Sequence, residues 1–529
     1  MAAKQEFFAR KASGFVRQIS AKDALMFNIL FMGPNWTFIY IVFDAALYPG
    51  ANVPLAQLIV APLIFIVALT YTMLAVTMPR AGADFVWISR SIHPFVGFIE
   101  SWILVVFVAS YFGVQGSAFI GPAIGSLYGG WALITNNPGL TSMIATLTTP
   151  LNLVIFTVIC IVITQIQVAA GTKNYFRLQW VWFSFVCLGI LLYAGSMLLT
   201  GHDGFVARFN QLSGMNYDNI IAAAQSAGYN TGFTTFGMLF GTVYAFLIYW
   251  GFSWSSFFAG EMKEAYRSQI IAIVGGVIIF AFATWGQYQI AYMVVGQPFM
   301  HAASYLAVSG NPAWTAPTGP WLSYLVAFAT NNPYVAAIVA SSILIGVLGT
   351  LASYSFMITR VLFAWSFDRL LPTAFSNLDR RFHSPRNALG LAFVLAMVFV
   401  YLGNYTTLLN YLVYGTLGLW ATSTIVGIAA AVFPYRRKDI FEKAPGIAKK
   451  MIGKVPLMAL LGAITAVVSA FGAITSALPQ FIGAPVNPFY LAAAGATVVI
   501  GIIYFVLVYI YNQRRGLDMT IAFREIPPL

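Results

Sequence analysis

The chain has 529 residues, of which 60% are hydrophobic, 16% aromatic and 8% charged. A water-soluble domain carries about 25% charged residues to wet its surface. The 27 Lys plus Arg and 15 Asp plus Glu present here therefore exclude a soluble particle of this size and predict a polytopic membrane protein. The formal charge of +12 reads as Lys and Arg collected in cytoplasmic loops, not as a nucleic-acid surface.

The N-terminus, MAAKQEFFARKASGFVRQISAKDAL, is basic and lacks a short apolar core followed by a cleavage site, so it is not read as a cleavable signal peptide. Residues 5–22 alternate Phe7, Phe8, Phe15, Val16 and Ile19 with cations. That pattern fits a helix lying on the inner membrane surface, and fits a frayed basic tail equally well. Runs of about twenty apolar residues then follow at 23–47, 54–78, 95–120, 151–170, 178–199, 236–259, 270–295, 334–365, 388–402, 408–433, 455–477 and 488–511. The reading is all-α, with about twelve membrane helices.

The charges test this map. With the N-terminus inside and the spans alternating, Arg80, Arg90, Lys173, Arg177, Lys263, Arg267, Arg380, Arg381, Arg386, Arg436 to Lys454 and Arg514 all fall inside, and Arg208 falls outside. This sidedness puts both termini in the cytoplasm of a multi-pass cell-membrane protein. The stretches 121–150, 201–235 and 296–333 are rich in Gly, Asn, Pro, Ser and Thr and read as external caps packed over the bundle, with room for short helices. Organised by spans, 1–22 is a basic leader and 23–200 a first set of five. An external loop, 201–235, precedes a second set of five, 236–433. A basic loop, 434–454, leads to the last two spans, 455–511, and a cytoplasmic tail, 512–529. Cys160 and Cys187, the two cysteines, lie in apolar runs and form neither a disulfide framework nor a metal site.

Two spans carry breaks. The first holds Gly33-Pro34-Asn35 within FNILFMGPNWTFIY, and the sixth holds Gly251 within AFLIYWGFSWSSFF. Pro34 cannot donate a helical hydrogen bond, and glycine tolerates unusual dihedrals. Either break alone fits a simple kink. Together they open two sets of five spans, which an odd count places in opposite orientation. Interrupted helices at matching positions of two such halves point to a transporter binding site at the membrane midplane. Broken ends offer amides to an anionic group and carbonyls to a cationic one, which suits a zwitterion.

Three stretches carry a family resemblance: MPRAGADFVWISRSIHPFVGFIESW at 78–102, WGFSWSSFFAGEMKEAYRSQIIAI at 250–273, and SFMITRVLFAWSFDRLLPTAFSNLDRRFHSPRNAL at 355–389. In order and sidedness they resemble the amino acid–polyamine–organocation transporters, the amino-acid permease superfamily. The resemblance implies a five-plus-five inverted repeat with discontinuous helices 1 and 6 and two additional C-terminal helices. It also implies transport of amino acids or related small amines by alternating access. Carried over, Gly33, Pro34, Asn35 and Tyr249, Trp250, Gly251, Phe252, Ser253 form the unwound segments. The amides of Trp36 and Thr37 receive the substrate carboxylate, the carbonyls of Tyr249 and Trp250 its ammonium, and Trp250 or Phe252 caps the pocket. The chain departs from the family in its Gly-Pro-Asn turn and in Ser253, where an acidic residue is common. It also has no ionisable residue at the position, aligned to Val186, where some members carry a fifth-span lysine.

Other candidates are sparse. Asp44 and Glu100 fit a cation or proton site, and fit hydrated span ends equally. Glu261, Lys263, Glu264 and Arg267 fit an inner gate with Arg80 or Arg90. Thr350, Ser353 and Ser355 offer hydroxyls to Na⁺ beside the first break, or bond back to their own helix. Tyr111 faces substrate or packs. His93, His202, His301 and His383 lie in loops or at span ends, so no buried histidine relay is expected. No cofactor, bound metal or nucleic acid is called for. The partners are a small amino acid or amine, the lipid bilayer, and H⁺ or Na⁺ as a coupling ion. A polycation would want several buried carboxylates, which disfavours polyamines. An enzyme would need catalytic clusters and a channel rings of charge. A transporter-like sensor stays open as an alternative.

Overall fold

The computed structural model describes residues 14–406, 412–477, 488–517 and 519. Eleven helical stretches among them are long and apolar enough to cross a membrane, and a shorter apolar helix covers Thr235–Ile248. The all-α polytopic reading holds.

The first crossing is two helices. α1 (Ala21–Met32) starts at a capping box in which Ser20 and Asp23 satisfy each other's backbone N–H, two of the four donors a helix start leaves open. α2 (Thr37–Leu47) resumes after the break. α3 (Val53–Thr77) is capped by Asn52. The short α4 (Ala83–Ser91) is wholly buried and leads to α5 (Pro94–Gln115), capped by His93. A π-helical turn at Gly116–Ile120 carries this crossing on into α6 (Gly121–Thr135). The third helix therefore runs well past the predicted end at residue 120, into what was read as an external loop. α7 (Gly139–Leu147) and α8 (Pro150–Ala169) follow. α9 (Thr172–Leu212) kinks at Gly201, and α10 (Tyr217–Ser226) lies beyond it.

The sixth crossing departs most from expectation. α11 (Thr235–Ile248) stops at 248. Its 14 residues rise about 21 Å, short of a bilayer core of about 30 Å. The remainder is two 3₁₀ turns, Trp254–Phe257 and Ala259–Glu261. α12 (Ala265–Ile270), a π turn and α13 (Gly276–Ala291) make the seventh crossing. Another π turn, Tyr292–Gly296, carries it into α14 (Gln297–Val308). α15 (Leu322–Ala329) is followed by the central α16 (Pro333–Phe367), which packs against α1, α6, α8 and α9.

α17 (Arg386–Tyr405) and α18 (Leu412–Arg436) come next, and residues 408–411 of the predicted tenth span lie outside the described residues. After α19 (Lys438–Phe441), β1 (Met451–Ile452) and β2 (Val455–Pro456) form a small hairpin. α20 (Leu457–Thr475) and α21 (Pro488–Arg514) close the chain. α18 and α20 touch through glycine: a Cβ on Gly427 would stand 2.5 Å from the Ala466 nitrogen, and one on Gly462 2.5 Å from that of Ala431. Small residues let helices approach this closely in lipid, where van der Waals packing drives association.

The predicted surface helix at 5–22 is not met. Residues 5–13 lie outside the described part, and 14–20 form no helix. Ile19 instead makes a parallel bridge with Met262.

Candidate functional site

The two breaks meet. Gly33 has φ 72 and Gly251 φ 93, the left-handed region that glycine tolerates without steric cost. A Cβ on Gly33 would lie 2.0 Å from the Trp36 indole nitrogen, and one on Gly251 1.8 Å from Phe31 Cδ1. Both glycines are thus fixed twice, by dihedral and by a ring lying where a side chain would be. Phe31 joins the breaks, because it belongs to the last turn of α1 and covers Gly251.

Neutral amides hold the unwound backbone. Gln287 Nε2, from α13, donates to the Pro34 carbonyl at 3.0 Å. Thr37 Oγ1 lies 2.9 Å from that carbonyl and 2.7 Å from Gln287 Oε1. Asn35 Nδ2 donates to the Ser342 carbonyl of α16 at 3.0 Å, while its buried Oδ1 has no partner among the described residues. In the second break, Asn28 of α1 accepts the Ser255 N–H at 2.8 Å and donates to Ser255 Oγ at 3.1 Å and to the Ala272 carbonyl at 3.0 Å. Gln269 donates to the Ser255 carbonyl at 3.1 Å. An unpaired buried backbone group costs free energy comparable to a lost hydrogen bond, so these amides are what let two helices stay unwound.

Aromatic rings fill the space around the breaks. Phe31 stacks on Trp254 at 3.8 Å, Trp250 meets Trp254 edge-on at 4.9 Å, and Tyr111 lies 4.9 Å from Trp250. Trp36 and Phe119 are 4.1 Å apart. Trp250 is half-buried, whereas Tyr249 and Phe252 are buried. Tyr249 packs against Phe280, and Phe252 turns its ring to Tyr71 at 5.2 Å. Of the two candidate caps, Trp250 faces the junction and Phe252 faces away. Ser253 lies buried behind the break, its carbonyl accepting from Ser256. The Trp36 N–H, expected to be open to a ligand, donates to the Gly33 carbonyl at 2.9 Å, and the Tyr249 carbonyl accepts the Phe252 N–H at 3.2 Å.

The remaining sequence candidates fall in separate places. Gly346 and Gly349 set α16 directly against Asn35 and Leu30, so Thr350 and Ser353 do lie beside the first break. The Ser353 hydroxyl, however, donates to the Gly349 carbonyl at 2.9 Å and receives Gln179 Nε2 at 3.2 Å, with Tyr175 OH 3.2 Å away. Gln179 also donates to the Gly349 carbonyl at 3.0 Å. Ser355 receives Gln165 Nε2 at 3.0 Å. Thr350 Oγ1 is buried without a partner among the described residues. Asp44 is 1% exposed, at the α2–α11 contact, where a Gly241 Cβ would be 3.1 Å from its Oδ1. Glu100 is 0% exposed, on α5 near Asp84 of α4.

Two expectations are corrected. Glu261 does not pair with Arg80 or Arg90. It accepts from Arg360 of α16 at 2.9 and 3.1 Å and from Thr172 Oγ1 at 3.0 Å, and the Arg360 guanidinium lies 3.4 Å over the Phe356 ring. Arg90 pairs with Asp368 at 2.6 and 3.0 Å. The N-terminal strand locks the Glu261 pair, since Gln18 and Ile19 donate to the Glu261 carbonyl and Lys263 N–H donates to Ile19. The second correction is His301, which is 0% exposed. Its Nε2 lies 2.7 Å from Tyr292 OH and its Nδ1 3.3 Å from Tyr229 OH. Residues 297–308 look like loop in sequence but form α14, which turns this histidine inward.

A protein-family model described as amino acid permease matches residues 24–510. One relative, the branched-chain amino acid permease BcaP of Lactococcus lactis subsp. cremoris (strain MG1363), is 25% identical over 366 residues, which cover 67% of this chain and 69% of that protein.

Proposed function

The chain belongs to the amino acid permease family, and from that premise we propose that it is a secondary carrier moving an uncharged amino acid across the cell membrane by alternating access. The observation that carries this reading is the junction of two unwound segments at Phe31 and Gly251, ringed by Trp36, Tyr111, Phe119 and Trp250. The start of α2 offers the Thr37 amide to a carboxylate, the amides of Trp36, Phe38 and Ile39 being taken up by the carbonyls of Gly33, Asn35 and Trp36. The end of α11 offers carbonyl oxygens, including those of Tyr249 and Trp250, to an ammonium. The apolar rings suit an apolar side chain, and the relative's name makes branched-chain amino acids the first class to test.

The five-plus-five arrangement supplies the motion: the element containing the breaks rocks against the remaining helices. The Lys/Arg-rich face is the cytoplasmic one, with both termini on it. On this reading the cytoplasmic gate is made by Phe31, Trp254 and Tyr354, which pack together, and by the Glu261–Arg360 pair with the extended segment at Gln18 and Ile19. The carrier works by ion-driven uptake or by exchange.

Counterflow of radiolabelled L-leucine into proteoliposomes preloaded with unlabelled leucine tests this. Saturable exchange, competed by isoleucine and valine, is expected. Binding without exchange would make the protein a sensor, and putrescine exchange in place of leucine would make it an amine carrier.

A further inference from the structure

A buried pair of carboxyls lies outside the junction, at the seam between α4, α5 and the second break. Asp84 is 3% and Glu100 0% exposed. Neither Glu100 oxygen has a hydrogen-bond partner among the described residues, nor has Asp84 Oδ1. The two carboxyls are close enough to repel one another when both are charged. An ionised carboxylate transferred from water to an apolar interior is very costly unless paired, so two together, with three of their four oxygens lacking a hydrogen-bond partner among the described residues, call for a neutralising partner. Arg90, in the same helix as Asp84, is committed to Asp368 at the end of α16. α3 turns Tyr71 to the pair, its hydroxyl donating to Ser423 Oγ of α18 at 3.1 Å. The adjoining turn Trp254–Phe257 brings no titratable group.

A metal ion fits poorly: no group of three or more His, Cys, Asp or Glu suited to a metal occurs among the described residues. A proton needs only a carboxyl. α4 lies between the spans, and burial pushes the Asp84 carboxyl up to about 7, within reach of physiological pH.

The pair is also tied to the moving part. Gly82, two residues before Asp84, donates its N–H to the Phe257 carbonyl at 3.2 Å, and Ala81 bridges Phe258. Tyr71 abuts Phe252 of the break. Opening the cytoplasmic side would part these contacts and let water reach both carboxyls.

We propose that Asp84 and Glu100 form a proton-binding pair that links amino-acid passage to a proton gradient. The proton is held while the seam is closed and is released to the cytoplasm when the 3₁₀ segment moves away. This rests on the carrier reading above, and the test separates the two.

Leucine accumulation driven by an acid-outside pH gradient is compared with leucine counterflow at equal pH, for the wild type, Glu100→Gln and Asp84→Asn. In the wild type the gradient drives accumulation. Each variant loses that accumulation about tenfold or more while counterflow stays within about threefold, as expected for lost coupling with an intact carrier. Infrared difference spectra between pH 6 and pH 8 add a readout independent of transport. A protonated-carboxyl band is present in the wild type and diminished in both variants. Should either variant fail to fold, the other still carries both measurements. Wild-type counterflow unaffected by an imposed gradient, gradient-driven accumulation retained in the variants, or an unchanged carboxyl band would each overturn the proton pair. Absence of wild-type counterflow would overturn the carrier reading, leaving the infrared band to decide the proton site.

Discussion

Glu261→Gln gives the sharpest test of how the cytoplasmic side is held shut. Glu261 and Arg360 are 1% and 2% exposed at their side chains, joined at 2.9 Å. Replacing the carboxylate by an amide keeps shape but leaves the guanidinium without its counterion. Breaking a buried pair from one side costs about 3–5 kcal/mol. The Phe356 ring under Arg360 returns part of this, on the order of 1–2 kcal/mol for a desolvated cation–π contact. The net penalty of roughly 1–4 kcal/mol falls on the closed state alone, because opening lets water solvate Arg360. At about 1.4 kcal/mol per tenfold, the closed-to-open ratio drops about 5- to 700-fold. The reporter is Ser256→Cys in the turn that runs from Trp254 toward the pair, where Ser256 is 0% exposed, in a background with Cys160 and Cys187 replaced by alanine. Its labelling by a membrane-impermeant maleimide from the cytoplasmic face should accelerate by about that factor. Labelling unchanged within about twofold, with a fall in thermal stability, would show that the pair staples the fold instead of latching a state.

Gly251→Ala should destabilise by about 2–5 kcal/mol, from a positive φ at a non-glycine residue and from overpacking against Phe31. Adding Phe31→Ala should recover a measurable part in a double-mutant thermal-denaturation cycle, since the two sites share one volume. Trp250→Ala should raise the leucine KM, whereas Phe252→Ala, whose ring packs on Tyr71, should lower the Tm with less effect on KM; both are read from uptake kinetics and melting curves. Because the Gln179 amide occupies the Gly349 carbonyl and Ser353 hydroxyl, leucine counterflow should be unchanged when choline replaces Na⁺. A Na⁺ requirement would show that these groups release Gln179 to take a cation.

What could be read from sequence follows from which residues act locally. Gly33-Pro34 announces a break because Pro34 lacks a donor and Gly33 reaches positive φ, and both effects are properties of the residues themselves. Gly251 announces the second break for the same reason. The 3₁₀ run after it was not legible: Trp254, Ser255, Ser256 and Phe257 suit a helix as well as a turn, and what unwinds them is Asn28, 227 positions from Ser255. The supporting amides Asn28, Gln179, Gln269 and Gln287 carry no charge to single them out, although a neutral amide inside an apolar run carries its own desolvation cost and so signals a partner. The Arg360–Glu261 pair depends on how α16 crosses the end of the sixth segment, which no local pattern encodes. The burial of His301 is not legible locally, because burial of a helix face is decided by what packs on it.

A cryo-EM map of the protein in nanodiscs with saturating L-leucine tests the central claim most directly. The account predicts density for one amino acid between the broken segments, its carboxylate at the start of α2, its ammonium at the end of α11, and its side chain against Trp250. Leucine found elsewhere, or the first and sixth crossings continuous through residues 33–36 and 249–253, would contradict it.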